Sequence, residues 1–266
     1  MKRSLALFLA LLLSGCFIFG NPTEVDETKG WTVQKLYNEA TISLQDHDYE
    51  KALKYFGILE SRYPHGRYAM QAQMETIYIY YKKGDPTAAI AAADRFIKLH
   101  PHHPNVDYAY YLKGLAVFNE RGIVEKLTGQ EISDRDPKAL RESFAAFKEL
   151  VTLYPNSKYV KDATARMTYL VNTLAEHELH VARFYMKRKA YIAAVNRCQY
   201  VLTNYPQAPA VEEALVIMIS AYDLMGMDDL KQDAQRVLKA NYPDSRFNTT
   251  TVPSDEGTWW KFWEAL

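Results

Sequence analysis

The residues that could do chemistry are few. Glu176-His177-Glu178-Leu179-His180 sets two imidazoles and two carboxylates within five positions. A zinc protease needs His at i and i+4 of one helical face, with the catalytic Glu beside the first. Here the histidines stand at i and i+3, without a third ligand in register, so catalytic zinc is not expected. His100, His102 and His103 share a turn with Pro101 and Pro104 and read as surface histidines. The chain has no phosphate loop, dinucleotide fingerprint or nucleophile elbow. Asn248-Thr249-Thr250 is a formal glycosylation sequon. The expectation is a protein that is not an enzyme and that needs neither metal nor dissociable cofactor.

The two cysteines face different fates. Lys2-Arg3, an apolar run Leu5–Leu13 and Ser14-Gly15-Cys16 have the order of a signal peptide. The run is short for a bilayer span, which takes about 20 residues. Leu13-Ser14-Gly15-Cys16 looks like a bacterial lipobox, so Cys16 is expected to carry the acyl chains of a lipid anchor. Phe17 rather than aspartate follows it, which resembles an outer-membrane sorting signal. Residues 16–30, with Gly20, Pro22 and an acidic run, read as a lipidated tether. Cys198 is then left without a disulfide partner and is expected as a buried thiol.

Charge narrows the partners. With 32 basic and 32 acidic residues the formal net charge is zero, which argues against nucleic acid. Arg183, Lys187, Arg188, Lys189 and Arg197 form a local basic run, either a solvated face or a mark for an acidic protein partner. Three of the four tryptophans lie in Trp259-Trp260-Lys261-Phe262-Trp263. This tail could cap the fold, hold a partner or sit at lipid headgroups.

The elements that position these residues follow from five prolines: Pro64, Pro101, Pro155, Pro206 and Pro243. They are 37, 54, 51 and 37 residues apart, and removing a 17-residue insertion turns the second gap into 37. Such a period marks a repeat architecture. Five residues before each proline stand Leu59, Phe96, Leu150, Val201 and Leu238. Twelve before stand Ala52, Ala89, Ser143, Ala194 and Lys231, mostly small. Eight before come Phe56, Ala93, Phe147, Cys198 and Gln235, and twenty-one before, Tyr80, Tyr185 and Tyr222 recur. Small residues let paired helices approach, apolar ones fill the seam, and proline stops the second helix. The pattern resembles the tetratricopeptide repeat over residues 31–245 and degenerates in the fifth copy. The expected fold is all-α, a tetratricopeptide-like helical-repeat superhelix of about five helix–turn–helix repeats. Asp48 is expected to cap one helix, Pro86 to open another after Gly84-Asp85, and Pro137 a third after the insertion.

In tetratricopeptide proteins the first helix of each repeat lines a concave groove. Transferred by register, that face carries Gln34, Tyr37, Thr41, Gln71, Met74, Tyr78 and Tyr81, then Tyr108, Tyr111, Leu115 and Phe118. The strip would suit an extended peptide with aromatic side chains; alternatively, its tyrosines pack between helices. The insertion at 120–136 reads as a partner-contact loop or a solvated one.

Several segments go beyond a generic repeat: Arg62-Tyr63-Pro64, Ile79-Tyr80-Tyr81-Lys82, Asp94-Arg95-Phe96-Ile97 and His103-Pro104-Asn105-Val106-Asp107-Tyr108. So do Ser133-Asp134-Arg135-Asp136-Pro137, Tyr154-Pro155-Asn156-Ser157 and Ala194-Val195-Asn196-Arg197. In this order, behind a lipobox, they resemble the BamD (ComL-like) family of outer-membrane assembly lipoproteins, and the Trp-rich tail resembles its beta-proteobacterial branch. The resemblance implies a non-catalytic periplasmic scaffold, lipid-anchored to the outer membrane, in the outer-membrane β-barrel assembly (BAM) machinery. Implied partners are the POTRA region of BamA, other BAM lipoproteins and unfolded outer-membrane β-barrel proteins. Arg197 matches a family arginine at the BamA contact; Arg183 and Arg188 are expected beside it. The organisation expected is a signal peptide at 1–15, the tether at 16–30, client-binding repeats at 31–119, an insertion with BamA-docking repeats at 120–245, and a tail at 246–266. The alternative is an adaptor or pilotin lipoprotein of another envelope system.

Overall fold

The computed structural model describes residues 26–118 and 137–248. The expected lipidation at Cys16, the insertion and the Trp-rich tail lie outside the described residues. Among the described residues are ten α-helices and no strand: α1 Val33–Gln45, α2 Tyr49–Arg62, α3 Arg67–Lys83, α4 Pro86–Leu99, α5 Val106–Phe118, α6 Pro137–Leu153, α7 Val160–Lys187, α8 Tyr191–Asn204, α9 Ala210–Leu224 and α10 Asp228–Asn241. They pair as five helix–turn–helix repeats, so the all-α tetratricopeptide-like reading holds. α7 has 28 residues where the other first helices have 13 to 17, which accounts for the long gap between Pro155 and Pro206.

The register that marks the repeats is a register of burial. Leu59, Phe96, Leu150, Val201 and Leu238 are buried, as are Ala52, Ala89, Ser143 and Ala194. Phe56, Ala93, Phe147 and Cys198 are fully buried too, and each large ring contributes about 1.5–3 kcal/mol of transfer free energy. Burial pushes the Cys198 thiol pKa far up, so the thiol is a packing group. The fifth copy departs where its sequence does: Gln235 is exposed and Lys231 pairs with Asp223.

Two kinds of turn alternate. Within a repeat, one residue enters the left-handed region: His47, Gly84, Lys189 and Gly226. The next residue's N–H then bonds to the carbonyl five back, on Ser43, Tyr80, Tyr185 and Tyr222. This is a Schellman closure, made by the backbone whatever the side chain, as Ser43 in the first repeat shows. Asp48 and Asp85 follow their turns as N-caps, accepting from Lys51 N at 3.2 Å and Ala88 N at 2.9 Å. Between repeats the residue before proline caps the helix. Tyr63, His100, Tyr154, Tyr205 and Tyr242 each donate N–H to the carbonyl of the buried residue four back, at 2.8 Å. Proline bars that residue from the α region. After the last four steps the same residue's carbonyl accepts from the residue three on, which makes proline the second residue of a β-turn.

The chain divides into two compact units at Ala69/Met70, a different place from the functional division expected near 119/120. In the first, α1 packs on α2, and an N-terminal turn is pinned to α2. Arg62 donates to the Thr28 carbonyl at 2.7 Å and to its hydroxyl at 2.8 Å, and pairs with Asp26. Tyr55 donates to Glu27 at 3.1 Å. Thr28 is fully buried, so residues 26–28, read from the sequence as part of the tether, pack onto α2. In the second unit each helix from α4 to α10 packs on its successor, and the first helices α7 and α9 also touch. Gly114 on α5 sits against Phe147 of α6, where a Cβ would come within 2.5 Å of the ring. Apolar side chains surround α9, with Ala214–Ile219 buried throughout.

Candidate functional site

In the first unit the expected groove residues sit on α1. Gln34 is exposed. Tyr37 is half-buried, its ring 5.9 Å from Phe56 and 5.3 Å from Tyr68. The Thr41 hydroxyl donates to the Tyr37 carbonyl at 2.9 Å, a bond within its own helix.

In the second unit the first helices α3, α5 and α7 carry a continuous set of half-buried rings. Gln71 is exposed and donates to Glu75 at 3.3 Å. Tyr78 and Tyr81 lie 6.5 Å apart, with Lys82 Nζ over Tyr78 at 5.5 Å. Met74 does not line a surface as its register suggested. It is 6% exposed and belongs to the core, packed in one cluster with Ala93 and Phe96 of α4, and Leu115 of α5 is buried in the same core. Tyr108, Tyr159 and Tyr111 form a three-ring stack, with centroids at 5.3 and 4.6 Å and planes at 25° and 14°. The Tyr111 hydroxyl donates to Asp162 at 2.7 Å, and Asp162 also accepts from Arg166 Nε at 2.6 Å. The Arg166 guanidinium lies over Phe118 at 4.8 Å, and Phe118 meets Tyr169 edge-on at 5.8 Å. Sequence reasoning placed Tyr108, Tyr111 and Phe118 here but missed Tyr159, Asp162, Arg166 and Tyr169. The usable signal was the Asp162–Arg166 pair at i and i+4, one turn into the longest helix.

The titration pattern follows the geometry. Burial, then the bond to Asp162, pushes the Tyr111 hydroxyl up to about 12. Burial raises Tyr108 further. The Arg166 bond holds Asp162 below the usual carboxylate value, against its partial burial. Burial raises Glu75, only partly offset by the Gln71 bond.

The basic run has a different character. Arg183 is bidentate to Glu213 of α9 at 2.6 and 2.7 Å and lies 3.6 Å from Glu176. It therefore clamps α7 to α9. Arg197 Nη1 donates to Glu178 at 3.0 Å; the Glu178 side chain is 6% exposed and that of Arg197 45%. The central Glu of the zinc-like stretch is thus a buried ion-pair partner. Arg188 is exposed, with its guanidinium over Phe184 at 5.0 Å, and Lys189 is the left-handed turn residue. Of the three arginines expected at a docking face, Arg183 and Arg197 both bond to a neighbouring helix, and Arg197 is the more exposed of the two. Arg197 lines a shallow cleft of about 250 Å³ with Tyr185, Ala193, Asn196 and Tyr200. Exposed Phe184, Ile192 and Tyr200 also lie on these two helices.

A family model described as "Outer membrane lipoprotein" (YfiO) matches residues 30–238. The chain is 48% identical over 264 residues to the outer membrane protein assembly factor BamD of Neisseria meningitidis serogroup A, spanning 98% of this chain and 99% of that protein. It is 47% identical to its counterpart in Neisseria gonorrhoeae, with the same coverage. The Vibrio cholerae BamD is 36% identical over 88% of this chain and 97% of the relative. Among solved structures, the TPR domain of P58(IPK) is similar at 13% identity with a TM-score of 0.40, covering 80% of this chain and 52% of that one.

Proposed function

The chain belongs to the BamD family of outer-membrane protein assembly factors, of the beta-proteobacterial type, and on that footing we propose that it is the lipid-anchored scaffold on which unfolded β-barrel clients meet BamA. Members of this family are assembly factors, not enzymes, and act at the outer membrane. In this reading Cys16 carries the anchoring lipid on the periplasmic face, no other cofactor is needed, and other BAM lipoproteins join the same scaffold. Several acyl chains anchor stably because each buried methylene adds about 0.8 kcal/mol.

The observation that carries the client half is the half-buried ring set on α3 and α5: Tyr78, Tyr81, Tyr108 and Tyr111. Rings that keep one face accessible offer apolar area to aromatic side chains, and their hydroxyls offer hydrogen bonds to an extended backbone. Gln71 adds an exposed amide; Gln34, Tyr37 and Thr41 provide a separate surface on α1. For BamA, the supporting feature is the Arg197 cleft. A guanidinium fixed on one side by Glu178 and open on the other suits an acidic group of the POTRA region. Arg188 extends that surface.

Photocrosslinking with peptides from client C-termini tests the first half. Replacing Tyr78 and Tyr81 by alanine should cut crosslinking several-fold, and wild-type yield would refute the groove. Copurification from detergent extract tests the second. Arg197→Glu should reduce recovery of BamA, and unchanged recovery from a variant that melts normally would refute the docking assignment.

A further inference from the structure

We propose that the first half of α7 forms the far end of the client groove, where Arg166 receives the free C-terminal carboxylate of an extended polypeptide while Phe118 and the Tyr108–Tyr159–Tyr111 stack bear its last aromatic side chain. The proposal rests on the client reading above and extends it into the fourth repeat.

Arg166 is prepared for an anion. Its Nε is held by Asp162 at 2.6 Å, and its plane is held by Phe118 at 4.8 Å. Asp162 is in turn fixed by the Tyr111 hydroxyl at 2.7 Å. A guanidinium has five N–H donors in a rigid fork, so one edge spent on Asp162 leaves another for a second carboxylate. The side chain stays partly accessible while its carbon stem and plane are packed, so little rotamer freedom remains to be lost on binding.

Charge on the strip favours an anionic end. Lys82 stands over Tyr78 at 5.5 Å, Lys158 over Tyr159 at 5.0 Å and Arg166 over Phe118. The facing acids are already engaged: Asp162 by Arg166 and Tyr111, Asp107 by the Ser157 hydroxyl at 2.6 Å, and Glu75 by Gln71. Burial also raises the Glu75 pKa, which favours its neutral form. The rings next to Arg166 supply the apolar partner. Phe118 and the half-exposed Tyr169 meet at 5.8 Å, and Tyr111 stacks on Tyr159 at 4.6 Å. A terminal aromatic residue presents ring and carboxylate on adjacent atoms, the spacing this juxtaposition can serve. An internal acidic side chain, by contrast, brings no ring with its carboxylate.

The test uses the full-length lipidated protein in detergent and one fluorescent peptide in two forms. The peptide has ten residues of alternating polar and apolar character ending in phenylalanine, made as the free acid and as the C-terminal amide. The free acid should bind wild type about tenfold more tightly than the amide. Arg166→Gln should weaken the acid about tenfold and leave the amide unchanged, so their ratio falls to one. Arg166→Lys should retain part of the preference, because it keeps the charge and loses the fork. A merely structural role would weaken both forms alike. Equal binding of acid and amide to wild type overturns the proposal, as does an unchanged ratio in Arg166→Gln. If both forms bind equally and the Tyr78/Tyr81 double alanine weakens both, the groove stands and the carboxylate assignment falls. If neither form binds wild type, the client reading falls and takes this proposal with it.

Discussion

The two halves of α7 use the same residue types to different ends. In the first half, Asp162 and Arg166 pair at the rim of a ring stack, with their heads partly in solvent. In the second half, Glu178 is buried and Arg183 bridges to α9, so charge is spent on holding helices together. The difference comes from what packs alongside. The first half meets α5 through rings, which leave polar edges outside. The second half meets α8 and α9 across an apolar seam that includes Leu179, Ala182 and Met186, and the carboxylates beside it, Glu178 and Glu213, are largely enclosed. A salt bridge at the rim contributes little to stability, whereas breaking an enclosed one is costly.

The sharpest way to break this contrast is to remove one arginine from each half. Arg183→Met leaves Glu213 and Glu176 facing each other without a cation. We expect a loss of about 3 kcal/mol, at the low end for a broken enclosed pair because the groups retain some solvent. Arg166→Met should cost less than about 1 kcal/mol. Urea melts of the two variants give the comparison directly, and equal losses would show that the halves do not differ. A second probe strikes beneath the ring stack. Gly114→Ala drives a methyl group into Phe147, which itself touches Tyr111 at 6.2 Å between centroids. Overpacking should cost about 2 kcal/mol, net of a gain of up to about 1 kcal/mol in helix propensity. Phe147→Leu in the same chain should recover part of that loss. Additive losses in the double variant would place the strain elsewhere.

Tyr111→Phe is a gentler probe. It keeps the stacked ring and deletes the bond to Asp162, so stability should fall by about 1 kcal/mol. The Asp162 carboxylate then loses one of the two bonds that depress its pKa. The acid arm of the stability profile reads this. A depressed carboxylate contributes stability above its unfolded pKa and loses it as pH falls through its folded value. Removing the tyrosine donor should move that loss to higher pH. An acid arm identical to wild type would show that Arg166 alone sets Asp162.

Much of this arrangement was legible in the residue pattern. The proline period located five repeats, and counting back from each proline located the core, because the capping geometry repeats with the period. The recurring Tyr80, Tyr185 and Tyr222 were visible, although their shared role as Schellman acceptors is a backbone matter that no side-chain pattern reveals. The site was read less fully. Register put Met74 on the groove face, but a stripe wide enough to pack against the next helix also takes its neighbours, and Met74 fell inside it. The basic run looked uniform because Glu178 and Glu213, which engage Arg197 and Arg183, stand 19 and 30 residues away. Only the folded chain brings such partners together. Tyr159 was passed over because it precedes its helix, where groove register is not defined.

The smallest expected effect separates burial from pairing within the strip itself. Glu75 and Asp162 are both carboxylates near the same rings, yet their pKa values move in opposite directions. Burial dominates at Glu75, and the hydrogen bond from Arg166 dominates at Asp162. A raised carboxylate means that the folded state holds its proton more tightly than the unfolded chain. Its favourable contribution is therefore complete below the unfolded value near 4.5 and is lost as pH rises through the folded value. Ionising Glu75 as pH rises is therefore a burden on the fold. Glu75→Gln removes that burden while keeping an acceptor for Gln71, so the variant should be more stable than wild type at pH 7, by up to about 0.5 kcal/mol. The gap should close on acidification, because wild-type Glu75 becomes neutral as well. Melting curves at pH 7.5 and pH 4 decide it. A difference that does not change with pH would mean that side-chain shape, not charge, separates the two residues, and the strip would then be as tolerant of an ionised carboxylate at Glu75 as it is at Asp162.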